Sequence, residues 1–579
     1  MKAIDILVKY WGHTQFRLNQ EKIIQQIIEK KDTLALLPTG GGKSICYQIP
    51  TLMQEGISLV ISPLIALMND QIRHLASKGI KSAFITSNMH YSEIDTTLTN
   101  CIYGGVKFLY LSPEKLQNDL VKNRIKSMNV TLITVDEAHC ISEWGHNFRP
   151  SYRHIAEIRS VCPRIPILAL TATATKNTIT DIQKNLLFKN ENLIRSSFLR
   201  DNMSYIVDNS KEKNSRLLKI LNKIKSPTII YVGTRKKSKD LTSFLISHNY
   251  SANYYHGGLS NEIRNKRQES WHKNQTRIMV ATNSFGMGID KADVKLVIHM
   301  HLPSTIESYF QEAGRAGRDE KRAFSFLLAN NSDIKHQKKL LNIKYPTINQ
   351  ILDHYQNIAN YLQVALGDFP KNHMRFDIVS FSNRYKTNIL TTYNVLKYLE
   401  KEEKMRFSDD RNSPSRIKLT IKKSELYKFQ ITNQFYESII KLLLRSYKNI
   451  FDHLIVICEK QIASKLNSTE KEIKAILLRL EQLEILEYHG QNNLSQLQFL
   501  EPRQDLKNLN LNEKKWAERK EEESKKLNAI SSYISQKGSC RSQLLMDYFG
   551  EKETEKCGIC DTCIIAKRKA IQNKNLKDI

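Results

Sequence analysis

Pro38-Thr39-Gly40-Gly41-Gly42-Lys43-Ser44 is a glycine-rich turn that ends in a lysine and a hydroxyl, the residue types that hold phosphates. It follows the apolar run Leu34–Leu37, which reads as a buried strand, and Lys43 onward reads as a helix. Glycines let the backbone turn tightly, so its N–H groups and the helix N-terminus face an anion. Thr39, Gly40, Gly41 and Gly42 would form the cradle, Lys43 would reach the β- and γ-phosphates, and Ser44 would ligate Mg²⁺. Leu37 stands where the strict G-x4-G-K-[ST] pattern has its first glycine, which makes this a variant phosphate loop.

Asp136-Glu137-Ala138-His139 closes the apolar run Val130–Val135. Asp136, at a strand end, is placed to be the acidic Mg²⁺ ligand, and Glu137 to polarise the attacking water. A third segment, Gln311-Glu312-Ala313-Gly314-Arg315-Ala316-Gly317-Arg318-Asp319, carries two arginines at i, i+3, which on a helix share one face. Guanidinium groups there suit the charge of a transferring phosphoryl group, and spacing does not separate Arg315 from Arg318 as the principal contributor. If two domains border one nucleotide, hydrolysis can drive opening and closing between them.

The elements that position these residues alternate. β-type runs at Thr33–Leu37, Ser58–Ile61, Lys107–Leu111, Leu132–Val135 and Ile167–Leu170 are separated by helical stretches. The alternation restarts at Thr228–Val232 and continues through Ala252–Tyr255, Arg277–Ala281, Lys295–His299 and Phe324–Leu328. Such alternation implies βαβ units, so the fold class is α/β with two tandem parallel-sheet domains, joined near Phe198–Tyr205. After residue 340 the texture turns helical. A new N-cap at Ser468 or Thr469, helical spacing over Glu470–Glu484, and extended stretches at Ile485–Tyr488 and Gln496–Leu500 read as a helix-turn-helix with a small hairpin, winged-helix-like. A generic helical domain with a hairpin fits the same pattern. A weaker version occurs at Ile378–Phe407. The charged stretch 511–527 reads as a solvated helical connector, and the basic tail after Cys563 as disordered. The expected domains are 1–203, 204–340, 341–510 and 511–579.

At 579 residues, with 41% hydrophobic and 25% charged residues, the chain is long enough for several globular domains. No apolar run is long enough to span a membrane, and the N-terminus, interrupted by Asp5 and Lys9, is a poor secretory signal, so a cytoplasmic protein is expected. The net charge of +29 fits a polyanionic partner, though lysine is abundant along the whole chain. Of 9 cysteines, Cys46, Cys101, Cys140, Cys162 and Cys458 are scattered, as free thiols in a reducing compartment would be. Cys540, Cys557, Cys560 and Cys563 instead have metal-like spacing, open on spacing alone to a structural Zn²⁺ or an iron–sulfur cluster.

Together these segments resemble the RecQ family of DNA helicases, in helicase superfamily 2. The resemblance is carried by Phe16-Arg17-Leu18-Asn19-Gln20, PTGGGKS at 38–44, ISPLIALMNDQ at 61–71, YLSPEKL at 110–116, DEAHCISEWGHNFRPSY at 136–152 and ALTATAT at 169–175. The second domain adds IIYVGTR at 229–235, YYHGGLS at 254–260, VATNSFGMGID at 280–290 and QEAGRAGRD at 311–319. The resemblance implies two RecA-like domains, ATP as substrate, Mg²⁺ as cofactor and 3′-to-5′ DNA unwinding in recombination and repair, the alternative being a nucleic-acid translocase or RNA helicase. It implies that Gln20 reads adenine with Arg17 beside it, and that Gln311, Arg315 and Arg318 complete the site built by Lys43, Ser44, Asp136 and Glu137. It also implies that an aromatic-rich loop with Trp144, Phe148 and Arg149 couples single-stranded DNA to the ATP site. Aromatic faces stack on bases without sequence preference, which suits that task. Within that loop two positions depart from the family, Glu143 standing where glutamine is usual and Asn147 where aspartate is usual, and FRLNQ at 16–20 departs from the common FRPGQ while keeping Gln20. CRSQLLMDYFGE followed by CGICDTC resembles the family's zinc module, which favours Zn²⁺ at the four cysteines. Here the winged-helix-like segment precedes that module, whereas the common family order is the reverse. The partners implied are DNA with single-stranded tails and duplex junctions, with no membrane and, in a bacterium, association with the nucleoid. Protein partners are not legible.

Overall fold

The computed structural model describes residues 2–575 apart from 64, 87–88, 143–147, 286–290, 371, 409–414, 448, 491–494 and 552–554. These residues form two compact units, one of Met1–Lys338 with Glu521–Ile579 and the other of Lys339–Lys520.

The first unit holds two parallel sheets. Thr33–Leu36 (β1), Ile57–Ile61 (β2), Ser82–Ile85 (β3), Phe108–Leu111 (β4), Val130–Val135 (β5), Ile167–Thr171 (β6) and Leu193–Arg195 (β7) pair in the order β3-β4-β2-β5-β6-β1-β7. Every residue of β1, β2, β4 and β6 is buried, as strands covered on both faces require. Met203–Asp208 (β8), Thr228–Tyr231 (β9), Ala252–Tyr255 (β10), Ile278–Ala281 (β11), Leu296–His299 (β12) and Ala323–Leu328 (β13) build the second sheet, ordered β10-β11-β9-β12-β13-β8. The expected runs are all strands. β3, β7 and β8 carry no strong apolar run and were not expected; β3 and β7 are edge strands with partly exposed residues.

The second unit contains one small domain inserted into another. Its strands are Met374–Phe376 (β14), Met405–Ser408 (β15), Arg416–Leu419 (β16), Ile455–Val456 (β17), Leu486–His489 (β18) and Ser495–Phe499 (β19). The expected hairpin between Ile485–Tyr488 and Gln496–Leu500 does not form. β18 pairs with β16, Tyr488 opposite Ile417, whereas β19 pairs with β14 and β15, Phe499 opposite Met405. Burial explains the split. Leu497 and Phe499 pack with Phe376, Phe381, Val395 and Leu399, while Leu486 and Tyr488 pack with Ile417, Ile440, Ile473 and Leu477. The weaker expectation at Ile378–Phe407 is therefore the first half of a complete winged-helix-like domain, with helices Ile378–Arg384 and Ile389–Lys401. A second such domain sits between the strands of its wing. Thr469 is the N-cap of Glu470–Gln482, exchanging hydrogen bonds with Glu472 at 3.3 and 2.8 Å.

The charged connector is the helix Glu513–Ser535, but its end is docked rather than solvated: Leu527, Ile530, Tyr533 and Ile534 are buried. Residues 564–575 of the tail expected to be disordered are helical, since the helix Asp561–Asn575 continues through them.

Candidate nucleotide site and cysteine centre

Leu37 is fully buried and prolongs β1 into the core, which is the physical reason that no glycine opens the loop there. The turn that follows sits at the carboxyl end of β1, and the acids sit at the carboxyl end of β5, where ligands bind in parallel sheets. Gly40 and Gly42 have φ of +83° and +71°, a region that disfavours any side chain. The helix begins at Ile45, so Lys43 and Ser44 lie in the turn before it rather than in its first turn.

A cavity of about 200 Å³ opens here, lined by Thr39, Gly40, Gly42, Lys43, Ser44, Asp136 and Glu137 from the first sheet domain and by Gln311, Arg315 and Arg318 from the second. The two sides meet closely. A Cβ on Gly40 would lie 3.3 Å from Cγ of Arg318, and one on Gly314 would lie 3.2 Å from Cβ of Thr39.

Asp136 is held by its backbone, its N–H donating to Ile61 O at 2.9 Å and its carbonyl accepting from the Tyr152 hydroxyl at 3.1 Å. Its carboxylate accepts from the Glu137 N–H at 3.0 Å, and Glu137 itself is left-handed at φ +49°. Non-glycine residues persist in that region only where their surroundings hold them. Burial first, then the charge of Glu137, raises the Asp136 carboxyl well above the usual carboxylate range, with Lys43 opposing. Two acids buried side by side call for a cation, and the Ser44 and Asp136 oxygens are hard ligands of the kind Mg²⁺ takes. Thr39 Oγ1 and Arg315 Nε are buried without a hydrogen-bond partner among the described residues, so the cavity has donors to spare for phosphate oxygens. The donor set thus fits a magnesium nucleotide. His139 Nδ1 lies 3.0 Å from Thr171 Oγ1, joining the acidic segment to ALTATAT.

Arg315 and Arg318 do not share a helical face. The helix ends at Ala313, carrying Gln311 in its last turn, and both arginines lie in the turns beyond it. They line the same cavity because the chain folds back there, Gly317 donating to Val294 O at 2.8 Å with φ +65°.

The four cysteines converge in the same unit. All four Sγ atoms lie within 4.8 Å of one another, with Cys540–Cys557 at 3.4 Å and Cys560–Cys540 at 4.0 Å. Zn–S bonds of about 2.3 Å in a tetrahedron put sulfurs roughly 3.8 Å apart, so the spacing fits one ion. A four-iron cluster sets a separate iron under each thiolate and needs a wider ring of sulfurs. Arg541 N donates to Cys560 Sγ at 3.4 Å and Cys557 N to Cys540 Sγ at 3.3 Å, the N–H···S bonds that settle thiolates.

Comparison with known proteins matches these parts in order. A DEAD/DEAH box helicase model covers residues 17–182 and a helicase conserved C-terminal domain covers 212–320. A RecQ helicase winged-helix domain of Bacteroidota covers 417–490, the inserted domain, and a RecQ zinc-binding domain covers 501–564. The chain is 41% identical over 356 residues to a Bacillus subtilis protein described as "Probable ATP-dependent DNA helicase RecS", spanning 61% of this chain and 72% of that one. This chain belongs to the RecQ helicase family. By class it is therefore an ATP-dependent DNA helicase. It is also 40% identical over 343 residues to ATP-dependent DNA helicase RecQ of Bacillus subtilis, across 59% of this chain and 58% of that one. The crystal structure of the DUF1998 helicase MrfA bound to DNA shares the fold, at 16% identity and a TM-score of 0.50, over 70% of this chain and 58% of that one.

Not every expected residue of this RecQ-family chain reaches the cavity. Arg17, Gln20 and Gly41 are not among its lining residues, the Gly41 N–H donating instead to Pro38 O at 2.9 Å. Gln20 donates to Gly41 O and Gly42 O at 3.2 and 3.0 Å and accepts from Arg17 N at 2.9 Å, so it ties the FRLNQ segment to the phosphate turn. Arg17 pairs with Glu320 at 3.1 Å on an exposed surface, a contact worth little by itself. Trp144, Glu143 and Asn147 lie outside the described residues. Phe148 is half-buried under the Arg153 guanidinium at 5.2 Å, and Arg149 donates to Pro63 O at 2.8 Å, linking the aromatic segment to ISPLIALMNDQ. Tyr47, Gln71 and Tyr110 also line the cavity, with the two tyrosine hydroxyls 3.1 Å apart. Gln71 and Tyr110 stand within motifs legible in the sequence, which was the signal for them; Tyr47 had none. Among the described residues, no helix is long and apolar enough to cross a membrane.

Proposed function

We propose that this RecQ-family chain moves 3′ to 5′ along single-stranded DNA and separates duplex strands, in recombination and repair, using ATP hydrolysed between its two sheet domains. The observation that supports this reading is the single cavity bordered by Lys43, Ser44, Asp136 and Glu137 on one side and Gln311, Arg315 and Arg318 on the other. Thr39, Gly40, Gly41 and Gly42 cradle the phosphates with Lys43. Ser44 and Asp136 hold Mg²⁺, which when bound neutralises charge on the β- and γ-oxygens. Glu137 accepts the proton of the attacking water, and Gln311, Arg315 and Arg318 stabilise charge on the transferring group. Gln20 exchanges a loop carbonyl for the adenine edge, with Arg17 against the ring, so base binding reports directly to the phosphate turn.

Trp144, Phe148 and Arg149 carry the single strand, and the net charge of +29 supplies the nonspecific attraction to phosphate backbones at tails and junctions. Cys540, Cys557, Cys560 and Cys563 hold a structural Zn²⁺. We take residues 1–203 and 204–340 as the motor, 341–510 as its duplex-gripping accessory region and 511–579 as the zinc module. With DNA as partner, the chain works in the cytoplasm, at the nucleoid in a bacterium. The test is ATP turnover with single-stranded DNA, duplex DNA or RNA as activator. Single-stranded DNA is expected to stimulate most; equal or greater stimulation by RNA would favour an RNA-remodelling enzyme instead.

A further inference from the structure

The segment that joins the two sheet domains is not a free hinge. Glu551, in the turn after the helix Arg541–Tyr548 of the cysteine module, accepts from Phe198 N at 2.9 Å and from Ser197 Oγ at 2.8 Å, with Arg195 at 3.7 Å. Arg195 also donates to Phe549 O. The Glu551 side chain is 15% exposed and Phe198 is fully buried, so replacing Glu551 leaves the Phe198 N–H unmet, whereas the bond from Ser197 lies at the surface. Next to it, the buried rings of Phe549, Phe198 and Phe310 form a triangle, with centroids 5.1 Å apart for Phe549 to each of the others and 5.9 Å for Phe198–Phe310. Phe310 precedes Gln311 on the same helix, and Tyr548 donates to Glu307 in its first turn at 2.8 Å.

From Phe198 the joining segment runs directly to the arginine turn. Arg200 donates to Gly314 O at 3.1 Å and also to Gly317 O, and Asn202 donates to Gly317 O at 2.7 Å and to Lys321 O at 3.0 Å. These carbonyls flank Arg315 and bracket Arg318. The turn has few alternatives: a Cβ on Gly317 would lie 2.6 Å from Asn202 Nδ2. Hydrogen bonds and packed rings thus run without a break from the cysteine module, through residues 195–202, to the turn bearing both cavity arginines.

We infer that Phe549 and Glu551 are positioning residues for Arg315 and Arg318, acting through Arg200 and Asn202, so that the cysteine module sets the turnover rate of the ATP site. The inference rests on the ATP-hydrolysis reading above. Misplacing a charge-stabilising group by about 1 Å costs on the order of 100-fold in rate, while ground-state binding by Lys43 and the phosphate turn is untouched.

The experiment uses the full chain and measures DNA-stimulated kcat and KM for ATP with bound metal. Glu551→Ala is expected to lower kcat about 10- to 100-fold with KM within about twofold and metal content unchanged. Glu551→Gln, which keeps one acceptor and the side-chain length, is expected to recover most of kcat. Adding Arg318→Ala and Arg315→Ala to Glu551→Ala is expected to cost little beyond the arginine variant alone, because a group that acts through the arginines has nothing left to position. If Glu551→Ala does not fold, Arg200→Lys, which keeps the charge but loses the two-carbonyl grip, is put through the same comparison. Wild-type kcat in the single variants, or losses that multiply in the combined one, would overturn the inference and leave the ATP reading standing. A wild-type chain that does not hydrolyse ATP would overturn both.

Discussion

The motor and residues 339–520 are built on opposite principles. In the first sheet domain of the motor, the phosphate and acidic segments are short turns that follow strands: PTGGGKS after β1, DEAH after β5, ALTATAT at the end of β6. A parallel sheet then delivers those turns to one edge, so local sequence maps onto the site. In residues 339–520, the partners that matter are far apart in the chain. β15 at Met405–Ser408 pairs with β19 at Ser495–Phe499, and a whole second domain lies between them. Where chemistry is needed at one edge, the chain writes it locally. Where a core is assembled from distant strands, the chain tolerates interruption, because loop closure costs grow slowly with length.

The largest expected effect lies at the phosphate turn. Lys43→Ala is expected to abolish DNA-stimulated ATP hydrolysis, and Glu137→Gln to retain ATP binding while losing roughly 100-fold or more in turnover. Near-wild-type turnover in either would break the local reading of the motor. Next, Cys557→Ser is expected to lose its metal and lower the melting temperature of the first unit, followed by metal analysis and calorimetry. Finding iron in the wild-type chain would overturn the zinc assignment. Trp144→Ala is expected to reduce stimulation by single strands by about 10-fold and leave the basal rate near wild type. Equal loss of both rates would remove the coupling role.

The smallest effect on catalysis sharpens the comparison most. Leu477 is fully buried in the inserted domain, and Leu477→Ala is expected to cost about 2–5 kcal/mol in its unfolding with basal ATP turnover unchanged. Leu497→Ala, in the core of the host domain, is expected to cost a similar amount in a separate transition. One shared transition for both variants would mean the two domains fold as a single body.

Most of the motor was readable because its phosphate and acidic motifs fall at strand ends and most of its strands are apolar runs. The four-cysteine centre was readable because three of its ligands are close in sequence. Three features were not legible, each for a physical reason. The arginine turn was read as a helical face because i, i+3 spacing fits a helix, but the helix stops at Ala313 and a tertiary bond from Gly317 sets the geometry. The extended stretches near 485 and 500 were read as a hairpin because neighbours in sequence often pair, and only burial in two separate cores parts them. The basic tail was read as disordered by composition, yet as far as Asn575 it continues a helix already started at Asp561. Gln20 shows the same limit at the site. The family resemblance implies an adenine reader, whereas the structure shows the side chain bonded to the loop carbonyls of Gly41 and Gly42.

The most direct test of the motor reading is strand separation by the full chain on duplexes that carry a 3′ tail, a 5′ tail or a fork, beside matching RNA duplexes. ATP-dependent unwinding of the 3′-tailed and forked DNA, absent from the 5′-tailed DNA and from Lys43→Ala, is the expected result. Unwinding from the 5′ tail alone, or of RNA in preference to DNA, would contradict it.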